Sequence, residues 1–258
     1  MTLDLFARPA LLFLPANRER AVAKARESGA DLVVLDLEDA VKPGDKAAAR
    51  IAAVAAVAEH WSMPVAIRIN GIGTADHDAD LAAALGSDCD LIIVPMVGQP
   101  LAITGKPVAA MIETAAGVLA APAIARTVSA LIVGTNDLAA SLHLPSIDRD
   151  SMGFALQSCV VAARAAGIAV FDGVTNQLDD PDRLARESAE SRALGFDGKS
   201  LIHPDQIGAC QQAFTPTDDE LARATRLIAA ASGGAERFEG AMIEDLHVAA
   251  ARRLLAGR

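Results

Sequence analysis

Short apolar runs alternate with longer amphipathic stretches along most of this chain. The runs are ALLFL (10–14), LVVLDL (32–37), VAIRI (65–69), LIIV (91–94), VAAMI (108–112), ALIVG (130–134), IAVFD (168–172) and DGKSLI (197–202). Their length and their content of Val, Ile and Leu predict strands buried on both faces. Helical spacing fills most of the gaps, over 17–29, 46–60, 76–85, 115–128, 151–166 and 181–194. Asn17 and Asp45 stand where helix caps are expected. The segment 95–107 breaks the rhythm, because its prolines and glycines leave little room for a helix. About eight strands separated by helices predict an α/β chain: a single (β/α)8 TIM barrel over residues 1–214. A doubly wound open sheet is the alternative, but no G-x-G-x-x-G opens the first helix.

Beyond residue 214 the strand pattern stops. Helices are expected over 217–232 and 242–256, joined by a flexible link, GGAERFEG (233–240). This C-terminal helical extension, 215–258, has too few apolar residues to fold alone. It is expected to pack on the barrel or on a neighbouring subunit.

Four of the apolar runs carry or lead into charged residues. They deliver Asp36, Glu38, Asp39, Arg68, Glu113 and Asp137 to one end of the predicted sheet. Parallel sheets bind ligands at that carboxyl edge. Carboxylates gathered there repel one another unless a cation sits among them, and Mg²⁺ takes one or two protein carboxylates while keeping water and substrate as its other ligands. Glu113 and Asp137, on consecutive strand ends, fit that demand. Arg68, flanked by Ile67 and Ile69, either closes a buried ion pair or holds a substrate carboxylate. Within DLEDA, one acid could orient Arg68, another a metal-bound water, and another could act as base. The alternative is a solvated acidic loop with Asp39 as a helix cap. His203 faces the barrel mouth or is a loop histidine held by Pro204, while His60, His77, His143 and His247 read as surface or cap residues. No zinc-binding histidine spacing and no G-x-S-x-G elbow occur. A Schiff-base role for Lys199 is conceivable, but the acidic pocket argues for metal chemistry.

Bulk composition narrows the class. The chain has 258 residues, 52% hydrophobic and only 3% aromatic, which suits alanine-rich helices on aliphatic strands. A net charge of −10 with no basic stripe argues against nucleic acid. Three scattered cysteines, Cys89, Cys159 and Cys210, read as free thiols of a cytoplasmic protein. The first residues lack the pattern of a signal peptide, and no stretch is long and apolar enough for a membrane span.

Taken together, LLFLPANRERAVAKARESGADLVVLDLEDAVKPGDKAAAR, RIN, IETAAGV, GTNDLAASL, GIAVFDGV, ALGFDGKSLIHPDQI and FTPTDDEL resemble the citrate lyase β-subunit-like proteins of the HpcH/HpaI aldolase group, over about residues 8–256. The resemblance implies a Mg²⁺-dependent (β/α)8 lyase that assembles as a homotrimer. It implies cleavage of a 3-hydroxyacyl-CoA such as citryl-, citramalyl- or malyl-CoA into an acyl-CoA and a 2-oxo acid, the two small-molecule partners. Malyl-CoA thioesterase activity, malate synthase-like condensation, a non-catalytic metal- and oxo-acid-binding subunit, and dependence on an acyl-carrier partner are the alternatives. By the same resemblance Glu113 and Asp137 match the metal ligands and Arg68 the arginine that holds the oxo acid. Glu38 and Asp39 match the acidic pair beside it. The backbone of Gly134, Thr135 and Asn136 would meet the substrate carboxylate. Glu244 takes the place of an aspartate that reaches a neighbour's active site and, with Asp39, is a candidate base. Two further departures are Met96, where the family usually has lysine, and a shortened 95–107 segment.

Overall fold

The computed structural model describes residues 3–256, so residues 1–2 and 257–258 of the two expected segments lie outside the described residues. Eight parallel strands close into a barrel in sequence order: β1 (Ala10–Pro15), β2 (Leu32–Asp36), β3 (Val65–Arg68), β4 (Leu91–Val94), β5 (Val108–Ile112), β6 (Ala130–Val133), β7 (Ala169–Asp172) and β8 (Gly198–Leu201). The expected (β/α)8 barrel is therefore present. The barrel closes between β8 and β1, where Lys199 N donates to Pro9 O at 2.8 Å. Gly198 makes that approach possible, since a Cβ there would lie 2.4 Å from Pro9 O.

Strand alternation divides the buried side chains into two layers. Leu11, Leu32, Val34, Ala66, Leu91, Ile93, Ala109, Met111, Ala130, Ile132, Ala169 and Phe171 fill the barrel interior. The other face of each strand, with residues such as Val33, Leu35, Ile67, Ile92, Ile112, Val133 and Val170, packs under the helices. Small and large residues alternate inside the barrel, so it is a packed core with its opening at the carboxyl end. The outer layer holds α1 (Glu19–Ala25), α2 (Lys46–Val57), α3 (His77–Leu85), α4 (Ala115–Ile124), α5 (Thr135–Ser141), α6 (Gly153–Ala166), α7 (Pro181–Leu194) and α8 (Ile207–Phe214). On α2 the buried positions are Ala49, Ala53, Ala56 and Val57. Such small side chains let the helix lie close on the sheet.

Several local expectations need correction. Arg18, not Asn17, precedes the first turn of α1, and neither it nor Asp45 makes a side-chain cap. The short helices α5 and α8 were not anticipated. The supposed link 233–240 contributes a β-hairpin, β9 (Glu236–Phe238) with β10 (Ala241–Ile243), whose turn places Glu239 and Gly240 at positive φ. Arg223 and Arg226 of α9 (Asp218–Ala230) both bind Glu239, tying the hairpin to that helix. The final helix, α10 (Asp245–Leu255), starts three residues later than expected, because Met242 and Ile243 are in the hairpin. Ala224, Leu227, Ile243 and Ala251 form a small separate core for the extension. Arg192 of α7 links it to the barrel through Glu220 at 3.0 Å. No helix of the described residues is long and apolar enough to cross a membrane.

Candidate active site

A cavity of about 400 Å³ opens at the carboxyl end of the barrel. Arg68 ends β3 on an inward-facing position and is buried. Its Nε and Nη2 donate to the two carboxylate oxygens of Asp36, each at 2.6 Å. Asp36 also accepts the backbone N–H groups of Glu38 (2.9 Å) and Ala40 (3.0 Å), so its carboxylate is fully engaged. This fork-to-fork pair fixes the plane of the guanidinium. The Phe13 ring lies 5.4 Å from the guanidinium carbon. Nη1, on the far edge of the fork, stands 2.9 Å from Glu38 Oε2 and 3.9 Å from Met111 Sδ. Asp36 is thus the acid of the DLEDA cluster that orients Arg68, and the strand ends there. Glu38 and Asp39 follow in the bend, and Asp39 lines the cavity instead of capping a helix.

Glu113 follows β5 and is buried, with Oε2 accepting Met96 N–H at 2.7 Å. Met96 reaches that position with φ of 54°, a left-handed conformation unusual for a side chain of its size. Gly134 supplies the space on the other side, since a Cβ there would lie 2.2 Å from Glu113 Oε1. Asp137 lies in the first turn of α5 and lines the same cavity as Glu113. Gly134 N–H is already committed to Ile112 O at 3.1 Å, so its contribution is the missing side chain. The N–H groups of Thr135 and Asn136, in the first turn of α5, have no partner within the helix. The side chains of Asn136 and Asn176 exchange hydrogen bonds across the mouth at 2.8 and 3.3 Å.

The electrostatics of this wall are unbalanced. Five carboxylates, Asp36, Glu38, Asp39, Glu113 and Asp137, surround the single guanidinium of Arg68. Burial pushes Glu38 up to about 7, against the pull of Arg68 and with the help of Asp39 and Glu113. Burial likewise pushes Glu113 up to about 7, against the Met96 N–H and Arg68 and with the help of Asp137. Arg68 itself is raised: desolvation opposes its charge, but Asp36 and Glu38 outweigh that. Among the described residues no three His, Cys, Asp or Glu side chains form a group able to hold a metal ion by themselves. The pair Glu113 and Asp137 nevertheless suits a cation that keeps several waters, as Mg²⁺ does.

Other candidates fall outside the cavity. Lys199 alternates to the outer face of β8, where Nζ donates to Gly173 O at 2.5 Å and lies 3.2 Å from Asp172. Fully buried under the helices, it has no access to a substrate carbonyl, which removes the imine reading. His203 is exposed, and its Nδ1 accepts Asp205 N–H at 3.2 Å, so it is a loop histidine. His77, expected as a surface or cap residue, is buried against Asn70 O at 2.8 Å. Glu244 immediately precedes α10, its N–H bound to His247 Nδ1 at 2.9 Å, and does not line its own chain's cavity. Cys89, Cys159 and Cys210 are free and buried, and burial pushes the thiols of Cys159 and Cys210 up to about 12. Sequence reasoning missed Ser200, an inward hydroxyl on the cavity wall; the signal was a polar residue at the inward position of GKSL.

Comparison with known proteins places this geometry. A (3S)-malyl-CoA thioesterase of Cereibacter sphaeroides is 37% identical over 264 residues, covering 95% of this chain and 93% of the relative. A citrate lyase subunit beta-like protein of Mycobacterium tuberculosis is 34% identical over 252 residues, covering 93% and 91%. The crystal structure of CitE from M. tuberculosis in complex with magnesium, acetoacetate and coenzyme A superposes with a TM-score of 0.89 at 32% identity, covering 98% of this chain and 99% of that one. The profile of the HpcH/HpaI aldolase/citrate lyase family matches residues 9–105 and 101–204. With that match spanning the barrel and the cavity at its carboxyl end, the chain belongs to the HpcH/HpaI aldolase/citrate lyase family.

Proposed function

We propose that this protein is a Mg²⁺-dependent enzyme that cleaves a 3-hydroxyacyl-CoA thioester, of the citryl-, citramalyl- or malyl-CoA type, into an acyl-CoA and a 2-oxo acid. The observation that carries this reading is the buried Glu113 carboxyl, pushed up to about 7 beside Asp137 on a wall where acids outnumber arginine. Such a wall suits a divalent cation, and the CitE structures bound to magnesium with acetoacetate and coenzyme A, or with oxaloacetate, support it. Glu113 and Asp137 would hold the cation, which supplies Lewis acidity to the oxygens of the acid fragment.

The chain's own residues account for the remaining demands of a retro-aldol cleavage. Arg68, locked by Asp36, offers its Nη1 edge to negative charge on the acid fragment or on the enolate oxygen as it forms. The free N–H groups of Thr135 and Asn136 meet the substrate carboxylate. A base takes the proton from the substrate hydroxyl as the carbon–carbon bond breaks. Asp39 lines the cavity and serves as that base, with Glu244 of a neighbouring copy as the alternative. Glu38, pushed to about 7 and placed against Arg68, is suited to hold or release a proton near neutral pH.

The likeness to (3S)-malyl-CoA thioesterases favours a second reading, hydrolysis of the thioester on the same site. Incubating the protein with citryl-, citramalyl- and malyl-CoA, with Mg²⁺ and then with EDTA, separates the two. Lyase action releases a 2-oxo acid and an acyl-CoA, whereas hydrolysis releases free CoA and the intact hydroxy acid. Absence of both products with every thioester would overturn the assignment.

A further inference from the structure

The cavity has two unlike walls. The strand ends β2, β3, β5 and β6 carry the acids and Arg68, whereas the β7–β8–β1 side presents Phe13, Gly173, Val174 and Ile202. Two polar side chains interrupt that apolar side, Asn176, which is bonded to Asn136, and Ser200. Ser200 pairs in register with Leu11 of the barrel interior and so faces inward. The residue is 3% exposed, and its hydroxyl has no hydrogen-bond partner. The two side chains that flank it on β8 face the other way, Lys199 bonded to Gly173 O and Leu201 packed under the helices. A buried hydroxyl without a partner is costly, and a ligand that bonds it recovers that cost. Rotation about one serine torsion is all that redirects it.

This inference rests on the function proposed above. An acid fragment held by its carboxylate and oxo oxygen at the Glu113–Asp137 end turns its remaining substituent away from the acids. That direction is the β7–β8–β1 side. We infer that Ser200 is a specificity-determining residue, hydrogen-bonding a polar group on the substituent of the 2-oxo acid fragment. Phe13 and Ile202 accommodate the carbon to which that group is attached. A methyl substituent fills the same space but leaves the hydroxyl unpaired. Sites built around such a buried hydrogen bond reject the ligand that lacks it.

Hydroxypyruvate and pyruvate differ by one hydroxyl at that substituent and serve as probes. Their dissociation constants, measured by calorimetry with Mg²⁺ present, are expected to differ roughly tenfold in favour of hydroxypyruvate. In Ser200→Ala the ratio should fall to about one, chiefly through loss of hydroxypyruvate affinity, while Mg²⁺ affinity stays unchanged. Equal affinity of the unaltered protein for both acids overturns the inference, and that comparison needs no variant. A preference that survives in Ser200→Ala overturns it as well. Binding of neither acid defeats the functional assignment itself and this inference with it; equal binding of both defeats only the role of Ser200.

Discussion

Two charged clusters lie toward the carboxyl end of the barrel, and they differ in what they lack. Behind β7 and β8, Asp172 meets Lys199 at 3.2 Å and Arg149 at 2.9 Å, and Ser191 donates to the same carboxylate. Arg149 also pairs with Glu190 at 2.9 Å. Burial would push Asp172 up, but Lys199, Arg149 and Ser191 together hold it below the usual carboxylate range. Inside the mouth the arrangement is reversed. Arg68 is committed to Asp36, and Glu38 and Glu113 are both pushed up to about 7. The first cluster pairs its charges without a ligand and fastens the loop after β7. The second carries carboxylates that burial and one another disfavour, a condition typical of sites that bind or react.

The comparison can be broken from either side. Glu113→Gln should lower Mg²⁺-dependent turnover by at least about a thousandfold, the scale expected when charge stabilisation at the reacting oxygens is lost. Its unfolding free energy at pH 8 should not fall, because the substitution removes a carboxylate whose ionised form is penalised by burial. Activity at the original rate would contradict the ligand assignment. Lys199→Met should show the opposite pattern. Removing one partner from the buried Asp172 cluster is expected to cost about 3 kcal/mol in denaturant unfolding, with Mg²⁺ affinity unchanged within a few-fold.

A smaller perturbation sharpens the contrast. Gly134→Ala leaves every charge in place but sets a methyl group against Glu113 Oε1. Mg²⁺ affinity, read by calorimetry, should weaken by about tenfold as the carboxylate is displaced. Smaller again is the pH dependence of stability. In the cation-free protein Glu38 and Glu113 keep their protons up to about pH 7, whereas their ordinary value is 4.5. Between those values the folded state binds more protons than the unfolded chain. These two groups therefore make the protein less stable as pH rises from about 4.5 to about 7. Comparing urea midpoints at pH 5.5 and pH 8, for the cation-free protein and for Glu113→Gln, isolates the contribution: the difference should shrink in the variant.

How far each cluster could be read from sequence follows from the same physics. The strands were legible because burial on both faces forces continuous apolar runs such as LIIV and VAAMI, and every one of the eight runs forms a barrel strand. Arg68, Glu113 and Asp137 were legible because a charge at the end of such a run needs a reason to be there, and all three line the cavity. The Asp172 cluster was invisible, since its members come from β7, β8, α7 and the loop before α6, and no local pattern announces that they meet. Helix α5 was hidden because its seven residues are too few for a periodic signal. The β9–β10 hairpin reads as a link in the sequence because its glycines serve the turns at its ends, with Gly233, Gly234 and Gly240 all at positive φ. His77 reads as a surface or cap residue from its position, but its ring turns inward to Asn70.

The central claim is that the mouth cluster is completed by a divalent cation. The most direct test is the proton balance of Mg²⁺ binding at pH 7, measured by calorimetry in buffers of different ionisation enthalpy. The account predicts release of roughly one proton per ion as Glu38 and Glu113 become fully ionised, and much less in Glu113→Gln. No detectable binding, or binding with no proton released, would contradict it.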